Sequence, residues 1–66
     1  MGNAIKIARF KAGKNKAYEF AKEMGISRQY LTMLETGRAK NPSKELMLKM
    51  AKALNTSVEE LFFSED

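Results

Sequence analysis

The sequence predicts an all-α protein, a compact bundle of five short helices, and three observations support this fold class. Apolar residues recur at spacings of three and four, and no segment alternates between apolar and polar residues as a strand would. Glycine, asparagine and proline separate the apolar stretches at short intervals, where helices would end. Of the 66 residues, 44% are hydrophobic, which is typical of a folded chain. We therefore expect one helical domain over residues 1–66, without repeats or linkers.

The first two helices are predicted from apolar stripes that end at glycine. Ile5, Ala8 and Ala12 line one side of the first helix, and Gly13 ends it. Asn15 is the expected N-cap of the second helix. The inward residues of that helix are Ala17, Phe20, Ala21 and Met24. Gly25 follows them, where a C-terminal cap with positive φ is expected.

The third helix is predicted from a serine cap and two leucines. Ser27 can cap it, Leu31 and Leu34 face inward, and it runs to about Glu35 before Gly37 stops it. A loop follows up to Pro42, because proline disfavours a helical conformation at the residue before it.

The last two helices also begin at serine residues. Ser43 caps the fourth helix, which Asn55 closes and whose inward residues are Met47, Met50, Ala51 and Leu54. Ser57 and Glu60 have the spacing of a capping box, with serine at the N-cap and glutamate at the third helical position. The fifth helix therefore begins here and continues through Leu61 and Phe62.

The positive charge is concentrated in the first part of the chain. Twelve basic and eight acidic residues give a net charge of +4. Residues 1–40 hold nine basic and three acidic side chains, a net charge of +6, whereas residues 41–66 have a net charge of −2. This asymmetry fits a one-sided surface for a polyanion such as nucleic acid, and it equally fits ordinary solvated helix faces.

The composition argues against several classes of function. With no cysteine and no histidine, the chain has no disulfide, thiol nucleophile or usual zinc ligand. Carboxylates are not clustered, so we expect no enzymatic activity, no metal site and no cofactor. No apolar run has the length of a membrane span or signal peptide, so we expect a cytoplasmic protein without membrane contact. A chain this short also has no room for an effector domain, and no small-molecule ligand is expected.

The segment over residues 16–36 has the features of a helix-turn-helix. Ala21 is small, so that the following helix can cross close to its backbone. Gly25 permits the sharp reversal, and Ile26 enters the core directly after it. This arrangement holds the second helix of the motif out from the body, where it can enter the major groove of DNA.

A helical wheel of the third helix places a distinctive set of residues outward. At about 100° per residue, the inward direction lies between the two leucines, and Glu35 lies toward the body. The outward face consists of the uncharged side chains of Gln29, Thr32, Met33 and Thr36. Arg28 and Tyr30 lie on its two flanks. A merely solvated helix would favour lysine and glutamate there, so this face is better suited to base edges.

The chemistry of these side chains matches groups in the major groove. Arg28 can donate two hydrogen bonds to guanine, and Gln29 can pair bidentately with adenine. Thr32 and Met33 offer apolar contact to thymine methyl groups. Tyr30 has two interpretations, either a ring on the body whose hydroxyl reaches a phosphate or a purely structural residue.

Over nearly its whole length, the chain resembles the Cro and phage-repressor (XRE-type) helix-turn-helix family, which has the lambda-repressor-like fold. The motifs that carry the resemblance, specific in their order and spacing, are Ile5-Lys6-Ile7-Ala8-Arg9, Phe20-Ala21-Lys22-Glu23-Met24-Gly25-Ile26-Ser27-Arg28, Leu34-Glu35-Thr36-Gly37-Arg38, Asn41-Pro42-Ser43, Leu48-Lys49-Met50-Ala51-Lys52-Ala53-Leu54 and Ser57-Val58-Glu59-Glu60-Leu61-Phe62.

The resemblance implies a role for each matching position. The positions expected at base edges are Ser27, Arg28, Gln29, Thr32 and Met33. Those expected against phosphates are Thr36, Gly37, Arg38, Lys40 and Asn41, to which we add Tyr30. Arg9 and Glu35 match an ion pair between the first and third helices that is structural in the family.

Two departures from the family pattern concern the entry to the second helix. Ala17 stands where members usually have a polar residue, so Lys16 or the backbone amides would have to contact the phosphate. The loop over residues 13–16 is also about one residue longer than usual and lacks the customary apolar residue.

The resemblance implies a regulator that binds double-stranded DNA, in the manner of a Cro-like repressor of bacterial or phage origin. Such proteins usually act as homodimers, because one helix reads too few base pairs. Val58, Leu61 and Phe63 are the candidate dimer surface, with Phe63 either exposed for a partner or folded back onto its own domain. The alternative function is that of an antitoxin-type or regulatory protein-interaction module with the same fold.

Overall fold

The computed structural model describes residues 4–39 and 42–63. Within these ranges it contains five α-helices and no strand, as the sequence predicts: α1 (Ala4–Lys11), α2 (Ala17–Met24), α3 (Arg28–Glu35), α4 (Lys44–Ala53) and α5 (Val58–Phe62). α3 packs against α1 and α2, while α5 packs against α1 and α4. The sequence-predicted all-α class, with its five-helix order, is therefore confirmed.

Four helices end in the same left-handed turn. Gly13, Gly25 and Gly37 follow α1, α2 and α3 with φ between 76° and 79°, and Asn55 follows α4 with φ of 56°. At each end, a backbone N–H just beyond the helix donates to a carbonyl five residues back, which is the Schellman arrangement. Asparagine is among the few non-glycine residues that adopt this conformation readily, so the prediction of Asn55 as the end of α4 is confirmed.

The starts of the helices divide into two kinds. The Oγ atoms of Ser27, Ser43 and Ser57 each accept a hydrogen bond, at 3.0–3.1 Å, from the backbone N–H three residues on. These three predicted N-caps are confirmed. The prediction of Asn15 as the cap of α2 is wrong, because α2 begins at Ala17 and the capping position is taken by Lys16, whose side chain makes no capping hydrogen bond.

Ten apolar side chains form the core between the helices. They are Ile5, Phe20, Ala21, Met24, Leu31, Leu34, Met50, Ala51, Leu54 and Leu61. Burial of a leucine or phenylalanine side chain contributes about 1.5–3 kcal/mol, so Leu31 and Leu34 hold α3 firmly against the rest of the bundle.

Two details at α1 and α5 differ from the sequence prediction. Ala12 is exposed rather than inward, because α1 ends at Lys11 and the second buried position on α1 is taken by Arg9. The capping box at α5 is half formed: Ser57 Oγ accepts its hydrogen bond, but among the described residues the Ser57 backbone N–H donates none to the Glu60 carboxylate. In the part of the chain that the structure describes, no helix has the length and apolar character needed to cross a bilayer.

Candidate nucleic-acid interface

The turn between α2 and α3 is fixed by hydrogen bonds at the end of α2. Gly25 N–H donates to Lys22 O at 3.1 Å, and Ile26 N–H donates to Ala21 O at 3.0 Å. The φ of 76° at Gly25 is strained for any residue with a Cβ, although a Cβ placed there would meet only Lys49 Nζ at 3.9 Å. The glycine is therefore required for conformation rather than for space.

A lysine from α4 also supports this turn. Lys49 Nζ donates a hydrogen bond to Met24 O at 3.4 Å, at the C-terminal end of α2. The contact places a positive charge at the negative end of the helix dipole, which is favourable. No local sequence pattern predicts this contact, because the two residues lie 25 positions apart.

One face of α3 is turned away from the body. Arg28, Gln29 and Thr32 are exposed, and Met33 is half-buried. Ser27 is exposed at the start of the helix, directly before them. The five residues expected at base edges therefore lie along a single helix, on a surface that carries amide, hydroxyl, guanidinium and thioether groups, which we call the α3 outer face.

Three hydroxyl groups, one on α3 and one on each of its two capping residues, already have hydrogen-bonding partners within this segment. Ser27 Oγ accepts from the backbone N–H of Tyr30, which leaves the hydroxyl proton of Ser27 free. Thr32 Oγ1 donates to Arg28 O at 3.1 Å, and Thr36 Oγ1 donates to Thr32 O at 2.9 Å. A hydroxyl has one proton and a phosphate oxygen can only accept, so Thr36 would have to give up its internal bond to contact phosphate.

The residues expected against phosphates surround the two ends of this motif. Lys16, Thr36, Gly37 and Arg38 are exposed. Lys40 and Asn41 lie outside the described residues. Tyr30 is half-buried, and its ring packs against the core. The Tyr30 hydroxyl makes no hydrogen bond within the described ranges. A packed ring and an available hydroxyl are the two features that a phosphate contact by Tyr30 requires.

Arg9 connects α1, the following loop and α3. Its Nε donates to Glu35 Oε2 at 3.0 Å, and its Nη1 donates to the carbonyl oxygens of Lys14 and Asn15 at 3.1 and 3.0 Å. Arg9 is only 3% exposed, so its guanidinium is not accessible to a phosphate. We call this cluster the Arg9 junction, and its two carbonyl contacts tie down the loop that leads into α2.

The spacing of Arg9 from Ile5 in the sequence already indicates that the Arg9 side chain is buried. Arg9 lies four positions after Ile5, so the two share a helix face. A basic residue in line with a buried isoleucine must find partners for its donors. The carbonyl groups that serve as those partners belong to a loop, and no periodic pattern predicts their position.

The candidate dimer residues differ widely in exposure. Phe63 is 65% exposed, Val58 is half-buried, and Leu61 is 4% exposed and belongs to the core. Leu61 therefore has little surface to offer a partner. Phe63 borders an apolar groove that is otherwise lined by Leu34, Gly37, Ala39, Pro42, Met47, Leu61 and Phe62.

Large apolar side chains other than Phe63 are also exposed. Ile7 and Phe10 on α1, Tyr18 on α2 and Leu48 on α4 each have about half or more of their surface exposed. Ile7 and Phe10 are three positions apart and so share a face of α1. Among the described residues, no group of three acidic side chains is placed to hold a metal ion.

Comparison with known proteins agrees with this architecture. A family model described as helix-turn-helix matches residues 5–61. An uncharacterized HTH-type transcriptional regulator of Archaeoglobus fulgidus is 36% identical over 66 residues, which cover this whole chain and 91% of the relative. A second regulator of that description and species is 34% identical over 62 residues, 92% of this chain and 86% of the relative.

A third relative comes from another archaeon. An uncharacterized HTH-type transcriptional regulator of Methanocaldococcus jannaschii is 36% identical over 62 residues, or 92% of each chain. No solved structure is similar to this chain at a significant level. The chain therefore belongs to the XRE-type helix-turn-helix family of DNA-binding transcriptional regulators, a class without enzymatic activity.

Proposed function

We propose that this chain, as a single domain over residues 1–66, binds specific sequences of double-stranded DNA and represses transcription in the manner of a Cro-like regulator. One observation carries the proposal. The α3 outer face is uncharged apart from Arg28, rich in hydrogen-bonding groups, and held on a rigid helix-turn-helix by the buried residues Leu31 and Leu34. Its place of action would be the cytoplasm, with the DNA.

Base recognition would come from the α3 outer face in the major groove. The guanidinium of Arg28 makes no hydrogen bond within the described residues, so it is available to guanine O6 and N7. Gln29 is exposed beside it and suits adenine N6 and N7. Ser27, Thr32 and Met33 complete the reading surface with two hydroxyl groups and apolar contacts.

Phosphate contacts would flank this surface. Lys16 precedes α2, whose first-turn N–H groups lack a side-chain cap. Arg38 follows α3 at the opposite end of the motif. The other proposed phosphate contacts are Tyr30, Thr36, Gly37, Lys40 and Asn41. Thr36 would contribute least, because its hydroxyl proton is already bonded to Thr32 O.

A homodimer would bring two such faces to a two-fold symmetric operator. Phe63 and the apolar groove that it borders lie on one continuous surface, as a two-fold interface requires. Val58 would lie at the edge of the contact. Sedimentation of the wild type against Phe63→Ser tests this arrangement, and an unchanged mass would contradict it.

Selection of bound duplexes from a random pool, repeated at several salt concentrations, tests the main proposal. We expect a two-fold symmetric consensus and an affinity that falls as salt rises, because phosphate contacts release counterions. Failure to enrich any sequence, with a salt dependence like that of a general polycation, would contradict sequence-specific binding.

The alternative function, an antitoxin-type or regulatory protein-interaction module, has its own supporting observation. Ile7 and Phe10 form an exposed apolar strip on α1, and neither belongs to the α3 outer face. A surface of this kind can contact another protein. If Ile7→Ser/Phe10→Ser retains full operator binding but abolishes regulation in cells, a protein partner at α1 is required as well.

A further inference from the structure

The hydroxyl groups of the α3 outer face have opposite hydrogen-bonding roles. Ser27 Oγ accepts from Tyr30 N–H at 3.0 Å, so its proton can still be donated outward. Thr32 Oγ1 donates its only proton to Arg28 O at 3.1 Å. The exposed side of Thr32 therefore presents a methyl group and oxygen lone pairs, and no proton.

Thr36 does not compete for those lone pairs. Its hydroxyl donates to the backbone carbonyl of Thr32, at 2.9 Å, and not to the Thr32 side chain. The Thr32 hydroxyl is thus held by one internal bond and is open as an acceptor. Rotation of the hydroxyl toward a DNA acceptor would break that internal bond and gain only one in return.

The groups that DNA presents to such an acceptor are few. Phosphate oxygens, guanine O6 and N7, adenine N7 and thymine O4 all accept and cannot donate. The exocyclic amino groups, adenine N6 and cytosine N4, are the donors in the major groove. Every base pair has one of these amines, on one of its two strands, so an acceptor at a fixed position distinguishes adenine and cytosine on that strand from guanine and thymine.

We propose that Thr32 is a specificity-determining residue whose hydroxyl accepts a hydrogen bond from an exocyclic amino group of adenine or cytosine in the major groove. The proposal rests on the proposed function, since it concerns the same DNA-binding face. It specifies that the Thr32 hydroxyl accepts the hydrogen bond and the base donates it. Apolar contact between Thr32 and a thymine methyl group, which the sequence predicts, is then less important at this position.

Two substitutions separate the acceptor from the methyl group. Thr32→Val keeps the branched shape and the methyl group but removes the oxygen, whereas Thr32→Ser keeps the oxygen and removes the methyl group. Thr32 is exposed, so little change in thermal unfolding is expected from either substitution. Each variant and the wild type would be used to select duplexes from the same random pool at one salt concentration.

We expect the wild type and Thr32→Ser to select adenine or cytosine at one position in each half-site, and Thr32→Val to lose that preference alone. At that position in the selected duplex, adenine is then replaced by the unsubstituted purine base, or cytosine by 2-pyrimidinone. Both replacement bases lack the exocyclic amino group. The replacement is expected to weaken wild-type and Thr32→Ser binding by about threefold to tenfold, the worth of one hydrogen bond, and to leave Thr32→Val unaffected.

Other results would overturn the assignment. If Thr32→Val retains the wild-type consensus, or is weakened by the amine deletion as much as the wild type, the hydroxyl does not accept from that amine. If Thr32→Ser loses selection of a thymine that Thr32→Val keeps, the residue reads a methyl group. If the wild type selects no sequence at all, the proposed function itself fails, and the assignment fails with it.

Discussion

Two arginines in the basic part of the chain have opposite surroundings. Arg9 is 3% exposed and donates to Glu35 and to two loop carbonyls. Arg28 is exposed at the first position of α3, and its guanidinium has no hydrogen-bonding partner within the described residues. Both count equally toward the net charge of the chain, so charge alone does not tell a structural arginine from a functional one.

These two surroundings distinguish the part of the molecule that serves folding from the part that is available for binding. The Arg9 junction places a charge inside the bundle and satisfies its donors there. On the α3 outer face, side chains lie exposed on a helix whose opposite side is buried. Substitutions in the two regions should therefore separate stability from DNA binding.

The largest effect is expected at the Arg9 junction. Arg9→Met would leave the Glu35 carboxylate, whose side chain is 13% exposed, without its partner, and would remove the donors to two loop carbonyls. Loss of one member of a buried pair costs about 3–5 kcal/mol, a large share of the stability of so small a domain. Urea unfolding would measure it, with the exposed residue of the same helix, Lys11→Met, as the control.

A second substitution tests the same junction from its other side. Glu35→Gln keeps an oxygen that can accept from Arg9 Nε but removes the charge, so a smaller loss of stability is expected. If Glu35→Gln unfolds like the wild type yet binds DNA poorly, the junction serves binding and the separation of the two regions is wrong.

The next largest effect is expected at Arg28. Arg28→Ala should weaken binding to the selected operator by about 1–3 kcal/mol and relax the base preference at one position. Unfolding should be nearly unchanged, because the side chain is exposed and makes no internal hydrogen bond. Titration of the variant against operator and random duplexes would check both statements, and a stability loss near that of Arg9→Met would contradict them.

An intermediate effect is expected at two serine caps, one at the α3 outer face and one at α5. Ser27→Ala and Ser57→Ala each remove one capping hydrogen bond, so each should lose about 1 kcal/mol of stability. Operator affinity, measured where both variants are fully folded, should fall for Ser27→Ala and remain unchanged for Ser57→Ala. Equal affinities would show that Ser27 acts only as a cap.

The smallest effect is expected at Lys16. Lys16→Ala should weaken binding to all sequences to a similar extent and reduce the slope of log affinity against log salt by about one unit. Lys11→Ala, on the groove between α1 and α5, is the matched control and should leave the slope unchanged. A sequence-dependent loss with Lys16→Ala would mean that the residue reads bases.

Much of this architecture could be predicted from the sequence because its determinants are local. The serine caps, the glycines with positive φ and the apolar stripe of α2 each act within a few residues, and all are observed. The cap of α2 could not be predicted, since the position of Lys16 depends on a loop held by the guanidinium of Arg9.

The candidate site could be predicted only in part from the sequence. The outward direction of Gln29 and Thr32 follows from helical geometry once Leu31 and Leu34 are inward. The hydrogen-bonding role of Thr32 does not follow from it, because the choice of partner for a hydroxyl proton is a property of the side-chain rotamer. The burial of Leu61 likewise depends on the packing of α5 against α1 and α4.

Gln29→Ala tests whether the α3 outer face reads base sequence. The measurement is the ratio of affinities for the selected operator and for random duplex DNA, at one salt concentration, for the variant and the wild type. We predict that the operator affinity falls by about 1–3 kcal/mol while the affinity for random DNA is unchanged, so the ratio falls. An equal loss on both duplexes would contradict base reading by this helix.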